Sequence, residues 1–243
     1  MRKIRLFIEE KNLKAGLLVK ISNNSFDYLT KVMRQRIGDE IFVFNGIDGE
    51  FRAKILNIEK RFLNLEIKEK ISELKKAPNI TLAFALLKNV KIDFIATKAV
   101  ELGVARFQPI ITQHTISDKI NQERFKANVK EALEQCERND LADVLEVKKL
   151  DKFLNEETTR EKILILCDES GSASKASELL PKINVNDREI VVLIGPEGGF
   201  SKDEFIKMRL LENLYSISLG TRILRADTAM ISALTLVQEF LGN

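Results

Sequence analysis

The sequence predicts an α/β protein in two parts, a small β-barrel followed by a parallel α/β domain. Its first 72 residues contain short segments in which apolar and polar residues alternate between turns, which is typical of a small barrel. Beyond about residue 73, apolar runs alternate with amphipathic stretches, the order that builds a parallel sheet. With 243 residues, of which 44% are hydrophobic, the chain is long enough to bury a real core.

Five strands and one helix are predicted in the first part. Gly38-Asp39 and Asp48-Gly49 mark turns between strands. The strand segments cover residues 3–8, 17–21, 40–45, 50–58 and 62–71. Residues 25–36, SFDYLTKVMRQR, predict a short helix between the second and third strands, with Gly38 as its stop.

The segment 72–80, SELKKAPNI, breaks this pattern, so we expect a first domain over residues 1–72 and a second over 73–243. Ser201, with Glu204 three residues later, predicts a capping box at the start of one helix of the second domain. The apolar strands fit burial on both faces. Predicted strands cover residues 80–87, 106–111, 162–167, 189–195 and 214–220, and predicted helices cover 91–103, 121–140, 172–180, 201–213 and 226–241.

Composition argues against several classes of protein. Cys136 and Cys167 lack metal-ligand spacing, and the single histidine, His114, leaves little room for a His-based metal site or a Ser-His triad. We therefore expect no metal. No apolar run approaches the length of a membrane span, and the N-terminus MRKIRLFIEE lacks the apolar core of a signal peptide. These features predict a cytoplasmic protein without a membrane partner.

Charge is unevenly distributed along the chain. Residues 1–72 hold 15 Lys and Arg against 10 Asp and Glu, whereas residues 73–243 hold 24 against 26. A basic N-terminal part fits contact with a polyanion such as a nucleic acid. A solvated, lysine-rich surface is the alternative explanation.

The first candidate site is VLIGPEGGFS, residues 192–201, where a predicted strand runs into a helix. Ligands of parallel α/β sheets bind beyond the carboxyl ends of the strands. Gly195, Gly198 and Gly199 permit close backbone approach to such a ligand. Their spacing matches neither the dinucleotide fingerprint nor the P-loop. A tight strand-to-helix turn explains the glycines equally well.

The second candidate site is LGTRILRADTA, residues 219–229, which has the same order of strand end, glycine and helix start. Arg222 and Arg225, beside Gly220, are suited to clamp a phosphate or a carboxylate. The alternative is a pair of surface arginines. Two adjacent loops of this kind can line one pocket.

The third candidate site is EQCERND, residues 134–140, at the end of a predicted helix. Arg138 and Asn139 are placed to meet an RNA phosphate or base. Favourable charge at a helix end is an equally good explanation.

Taken in order, these motifs resemble the RsmE family of the SPOUT superfamily. The resemblance covers nearly the whole chain and includes RLF at residues 5–7, YLTKVMRQRIGDEIFVFNGIDGEF at 28–51, KAVELGV at 98–104, RFKANVKEALEQCERND at 124–140 and the two glycine motifs. It implies transfer of a methyl group from S-adenosylmethionine to N(3) of a uridine in 16S ribosomal RNA. It also implies a PUA-like RNA-binding barrel, a SPOUT domain with a deep trefoil knot, and a homodimer.

The resemblance assigns roles to particular residues. It implies that backbone groups of the two glycine loops bind the cofactor and that Arg225, with Arg138 and Asn139 as secondary candidates, acts in catalysis. For RNA contact it implies Arg5, Tyr28 and Arg34; Tyr28 stands where the family usually has a histidine, so a role that needs an imidazole is not carried over. The implied cofactor-binding residues are Leu193, Ile194, Gly195, Pro196, Glu197, Gly198, Gly199, Leu219, Gly220, Ile223, Leu224, Ala226 and Thr228.

Three other functions remain as alternatives. They are ribose methylation of transfer RNA, non-catalytic RNA binding during ribosome assembly, and nucleotide-dependent regulation. The N-terminal barrel and the RILRADTA motif argue against the first, and the intact glycine and arginine motifs argue against the second. Competition of ATP with S-adenosylmethionine would reveal the third.

Overall fold

The computed structural model describes residues 3–86, 92–115, 119–156, 161–168 and 173–242. Three predicted element ends, at Leu87, Lys91 and Ser172, lie outside these ranges. The chain forms two compact units, of which the first holds Met1–Lys76 and Leu133–Leu141 and the second Ala77–Ala132 and Ala142–Asn243. The sequence did not predict that Leu133–Leu141 packs with the N-terminal unit.

The N-terminal unit is built on a five-stranded half-barrel sheet with the strand order β1-β3-β4-β5-β2. Strands β1 and β3 pair in parallel and the other neighbours pair antiparallel. Leu29, Ile41, Ile55 and Leu65 are fully buried in its core. All five predicted strands are confirmed: β1 Arg5–Phe7, β2 Leu18–Ser22, β3 Glu40–Phe44, β4 Glu50–Ile58 and β5 Phe62–Ser72.

The predicted helix between β2 and β3 is present, but its predicted extent is wrong. Helix α1 covers Asn23–Asp27 and continues as a π-helix over Tyr28–Val32. The π-helical hydrogen bond, between residues five apart, runs from Met33 N–H to Tyr28 O at 2.9 Å. Arg34 then has a φ of 52°, a left-handed conformation that ends the helix well before Gly38. A π-helix has no sequence signal comparable to a cap.

The C-terminal unit contains an eight-stranded sheet with the order β11-β13-β10-β12-β6-β7-β8, and β9 also pairs with β7. Every pairing is parallel, as predicted. The two-residue strands β8, β9 and β11 are too short for an apolar pattern and were not predicted. The strands are β6 Ile80–Ala85, β7 Arg106–Ile111, β8 Asp143–Val144, β9 Lys148–Lys149, β10 Lys162–Cys167, β11 Ser174–Lys175, β12 Glu189–Ile194 and β13 Leu214–Ser218.

Six α-helices follow α1 in the described residues: α2 Ile92–Glu101, α3 Gln122–Gln135, α4 Leu150–Glu156, α5 Ala176–Leu179, α6 Lys202–Arg209 and α7 Ala226–Leu241. A 3-10 helix over Leu180–Lys182 continues α5. Helix α4 was not predicted. The prediction that α3 reaches residue 140 is wrong, because Glu137 has a φ of 62° and turns the chain away. The capping box at Ser201 is confirmed. Across these residues, no helix combines the length and the apolar character of a membrane span.

Candidate functional site

Three neighbouring strands of the C-terminal sheet end at one place. The order β13-β10-β12 puts β10 between the two strands that precede the glycine loops, and all three run parallel. Their carboxyl ends therefore lie side by side, where parallel α/β sheets bind ligands. A pocket of about 560 Å³ lies there, within the size range of small-molecule sites.

The loop after β12 forms one wall of this pocket. It starts at Gly195, where an added Cβ would lie 2.8 Å from the Phe200 ring, so the packing of that ring requires glycine. Gly199 has a φ of 67° and donates its N–H to Pro196 O at 2.9 Å, which closes a tight turn. The loop ends at Ser201, whose side chain accepts a hydrogen bond from the first turn of α6.

The loop after β13 forms a second wall. Gly220 has a φ of 122°, a conformation that other residues rarely adopt. Ile223 is 83% exposed, so a large apolar side chain beside the pocket offers its surface to a ligand. Arg225 is exposed at the N-cap position of α7 and also lines the pocket.

The structure brings most of the residues predicted for cofactor binding to this pocket. Three do not line it: Leu193 is fully buried in the sheet, Gly198 faces His114, and Thr228 is exposed on the first turn of α7. The predicted residues that line it are Ile194, Gly195, Pro196, Glu197, Gly199, Leu219, Gly220, Ile223, Leu224, Ala226 and the proposed catalytic Arg225.

The end of β10 adds two lining residues that the sequence did not indicate. Cys167 and Asp168 lie between the two glycine loops because β10 is the strand between β12 and β13. Burial raises the pKa of the Cys167 thiol to about 12, so it is a neutral thiol at physiological pH. Asp168 is 4% exposed, and Arg209 Nη2 lies 3.6 Å from its Oδ2. Both residues reach the pocket because of the order of the strands in the sheet, and sequence patterns do not reveal that order.

Arg5, predicted to contact RNA, is buried in the N-terminal unit at 3% exposure. Its Nε donates to Glu50 Oε1 at 2.5 Å. Its Nη1 donates to Leu133 O at 2.8 Å and Glu134 O at 3.2 Å, and its Nη2 donates to Arg138 O at 2.9 Å. The guanidinium thus caps carbonyl groups at the end of α3, a structural function, and its contact with RNA stays a prediction.

Arg138 and Asn139, predicted as secondary catalytic residues, also lie in the N-terminal unit rather than in the unit that contains the pocket. Arg138 forms a two-pronged ion pair with Asp140, with Nε–Oδ1 and Nη2–Oδ2 distances of 2.9 Å. Asn139 is 5% exposed; its Oδ1 accepts from Lys75 N–H at 2.9 Å and its Nδ2 donates to Glu73 O at 2.8 Å. The Asn139 bonds hold Leu133–Leu141 against the residues that follow β5.

Tyr28 and Arg34, the other predicted RNA contacts, lie at either end of the π-helical segment. Tyr28 opens the π-helix and packs against the core while remaining partly exposed. Arg34 is exposed and has the left-handed backbone described above. This conformation ends the helical segment, and the RNA contacts of Tyr28 and Arg34 stay predictions.

Comparison with known proteins assigns a class to this arrangement. Residues 75–238 match the family model of an RNA methyltransferase domain, and residues 21–68 match that of an RNA methyltransferase PUA domain. The chain is 31% identical over 238 residues to the ribosomal RNA small subunit methyltransferase E of Rickettsia conorii, covering 98% of this chain and 96% of the relative.

Two solved structures superimpose on the chain with a TM-score of 0.86, each covering 98% of both chains. One, 29% identical, is a putative methyltransferase from Legionella pneumophila in complex with its cofactor SAM. The other, 28% identical, is the ribosomal RNA small subunit methyltransferase E of Neisseria gonorrhoeae bound to S-adenosyl methionine.

The two family models therefore define an RNA methyltransferase with an N-terminal PUA domain and a C-terminal RNA methyltransferase domain. Within that class, the chain belongs to the ribosomal RNA small subunit methyltransferase E family. The SPOUT superfamily and the deep trefoil knot implied by the resemblance stay predictions.

Proposed function

We propose that this protein transfers a methyl group from S-adenosylmethionine to N(3) of a uridine in 16S ribosomal RNA. The observation that carries the proposal is the pocket between the two glycine loops, at the carboxyl ends of β10, β12 and β13. Its support is the likeness, over 98% of the chain, to a ribosomal RNA small subunit methyltransferase E bound to S-adenosyl methionine.

The residues of the pocket fit such a cofactor. Gly195, Gly198 and Gly199 have no side chains, so backbone N–H and C=O groups of this loop can reach the edge of an adenine. Ile223 and Leu224 provide apolar surface for the faces of the base and the methionine chain. Asp168 places a carboxylate on the lining, which favours a ligand that carries positive charge. S-adenosylmethionine supplies the methyl group from its sulfonium centre.

Arg225 is the residue proposed to act on the uracil. The imide nitrogen is a poor nucleophile while it is protonated, so its proton must pass to a base as the methyl group is transferred, and the site must stabilise the negative charge that this leaves on the flanking carbonyl oxygens. Arg225 lies at the start of α7, lines the pocket and is exposed. Its guanidinium can orient the base and carry that charge, and alignment of the two reactants supplies much of the remaining rate.

The RNA contact is proposed for the N-terminal unit, through Tyr28 and Arg34. A base-modifying enzyme needs its target nucleotide unstacked, and both residues offer groups that stack on bases or bind phosphate. Residues 1–72 also carry the excess of positive charge. We further propose that the protein is a cytoplasmic homodimer and that its substrate is the assembled small subunit.

We propose separately that Arg138 and Asn139 contribute to catalysis. Each already holds partners inside the N-terminal unit, so a catalytic role would be additional to a structural one. Arg138→Ala, assayed with a folding control, separates the two roles, because a purely structural role lowers stability without changing turnover of the folded fraction.

The deciding experiment uses methyl-labelled S-adenosylmethionine with small ribosomal subunits from cells that lack this protein. After digestion of the RNA, we expect the label in 3-methyluridine. Label in a ribose-methylated nucleoside would identify another reaction. Cofactor binding without label on this RNA would contradict the proposed substrate and leave a different RNA or a binding role.

Arg225→Ala tests the catalytic residue within the same assay. We expect cofactor affinity to be retained and turnover to fall by about 10²-fold or more, the effect of removing one donor to a developing anion. Arg222→Ala is the comparison variant, since it removes the other arginine that lines the pocket; an equal loss of turnover there would mean that the effect is not specific to Arg225. Unchanged turnover in Arg225→Ala would remove its assigned role.

A further inference from the structure

The glycine loop that follows β12, residues 195–201, is hydrogen-bonded to the chain segment that follows β7, on the side away from the pocket lining. His114 Nδ1 lies 3.1 Å from Gly198 O and 3.0 Å from Gly199 O. A carbonyl oxygen can only accept, so the ring nitrogen must carry a proton and donate to both oxygens. Gly198 leaves room for this approach, since a Cβ there would lie 3.3 Å from His114 Cβ.

A second set of hydrogen bonds, through Glu204, joins the segment after β7 to the glycine loop. Glu204 is 8% exposed. Its Oε1 accepts from Gln113 N–H at 2.7 Å, and its Oε2 accepts from Ser201 N–H at 2.8 Å. One buried carboxylate therefore links the residue beside His114 to the last residue of the glycine loop. Hydrogen bonds to a charged acceptor are among the stronger ones in proteins.

The segment after β7 that makes these hydrogen bonds is itself fixed by hydrogen bonds between Thr112 and Thr115. Thr112 N–H donates to Thr115 Oγ1 at 2.9 Å, the two hydroxyl oxygens are 2.8 Å apart, and Thr115 N–H donates to Thr112 O at 3.2 Å. Gln113 and His114 are thus presented from a closed turn just after β7. A rigid support of this kind limits the movement of whatever it binds.

We propose that His114 and Glu204 form a clamp that positions the glycine loop and thereby determines the affinity for the adenosine part of the cofactor. Neither residue lines the pocket among the described residues, so both are positioning residues that act through the backbone of Gly198–Ser201. The inference rests on the proposed function only in placing S-adenosylmethionine against this loop.

The first test measures the loop without any ligand. Hydrogen exchange of the Gly199 and Ser201 amides is followed in the full-length protein and in His114→Ala. The Gly199 amide donates to Pro196 O and the Ser201 amide to Glu204 Oε2. We expect their exchange to be faster by about three- to tenfold when the clamp is lost, as for one lost hydrogen bond. Unchanged exchange would overturn the clamp whatever the protein binds.

The second test measures binding of S-adenosylmethionine by calorimetry. His114→Ala is expected to weaken binding by about three- to tenfold, with little change in turnover at saturating cofactor or in the KM for RNA. His114→Asn is the rescue variant, because the asparagine amide nitrogen takes about the place of Nδ1 and can donate. Glu204→Gln, which loses one of two acceptors, is expected to weaken binding in the same direction.

The outcomes separate the two proposals. Wild-type affinity in His114→Ala overturns the clamp and leaves the proposed function intact. Equal weakening in the Ala and Asn variants also overturns it, because the effect is then packing and not donation. If the wild-type protein does not bind S-adenosylmethionine, the proposed function fails, and with it the role of the clamp in affinity; the exchange result still shows whether the hydrogen bonds of the clamp hold the loop.

Discussion

Replacement of Arg5 by methionine separates a structural function from RNA binding at this position. The variant keeps a long, flexible side chain but loses every guanidinium contact described above. Carbonyl groups of Leu133, Glu134 and Arg138 lose a charged donor, and Glu50 loses one of its two cationic partners. Lys3 Nζ, 2.6 Å from Glu50 Oε2, remains.

The expected cost follows from the burial of this pair. The Arg5 and Glu50 side chains are 1% and 5% exposed. Removing one partner of such a pair costs about 3–5 kcal/mol, and we expect about 3 kcal/mol because Lys3 still neutralises the carboxylate. With a urea dependence of about 1–3 kcal/mol/M, the unfolding midpoint of the N-terminal unit should fall by about 1 M or more.

The assay is urea unfolding followed by a probe in the N-terminal unit, with Arg34→Met as the matched control. Arg34 is exposed, so that substitution should change stability by less than about 0.5 kcal/mol and should weaken RNA binding instead. A midpoint in Arg5→Met within about 0.2 M of wild type would refute the assignment of Arg5 as a buried cap. Loss of RNA affinity with normal stability would restore the sequence-based prediction.

Three further predictions concern the pocket and the N-terminal unit. Gly195→Ala should weaken S-adenosylmethionine binding in calorimetry, because its Cβ would lie 2.8 Å from the Phe200 ring; unchanged affinity would mean that the ring moves freely. In a Cys136→Ser background, Cys167 should react with a maleimide at pH 8 far more slowly than an exposed thiol, because burial raises its pKa to about 12. Hydrogen bonds from the Asn45 side chain and the Leu13 N–H lower the pKa of Asp48. The wild type should therefore be more stable than Asp48→Asn at pH 7. The difference between their urea midpoints should shrink below pH 3.8, because the carboxylate becomes protonated as the pH falls through its lowered pKa.

The elements that the sequence predicted correctly depend on local signals. Strand β12 is a continuous apolar run, and the run stops where Gly195 and Pro196 begin. The capping box of Ser201 and Glu204 needs only a spacing of three residues, and the structure has it. The two glycine loops were expected to line one pocket because both have the order of strand end, glycine and helix start, and residues of both loops line it in the structure.

The parts that were missed depend on contacts between distant residues. Cys167 and Asp168 reach the pocket only because β10 pairs between β12 and β13. Glu204 was predicted as a cap, but its second bond, to Gln113, joins residues 91 positions apart. Neither the strand order nor such a bond leaves a periodic pattern in the sequence, so local reasoning could not supply them.

The helices differ in how the carbonyl groups of their last turns are capped, and this difference explains the structural role of Arg5. Helix α7 ends at Gly242, which has a φ of 73° and donates to carbonyls of the last turn, and Gly103 serves α2 in the same way. Helix α3 has no glycine at its end, so its last carbonyls need donors from elsewhere. Arg5, 128 positions from Leu133, supplies them. The donor for this helix end is therefore a residue distant in the sequence, and the contact of Arg5 with RNA stays a prediction.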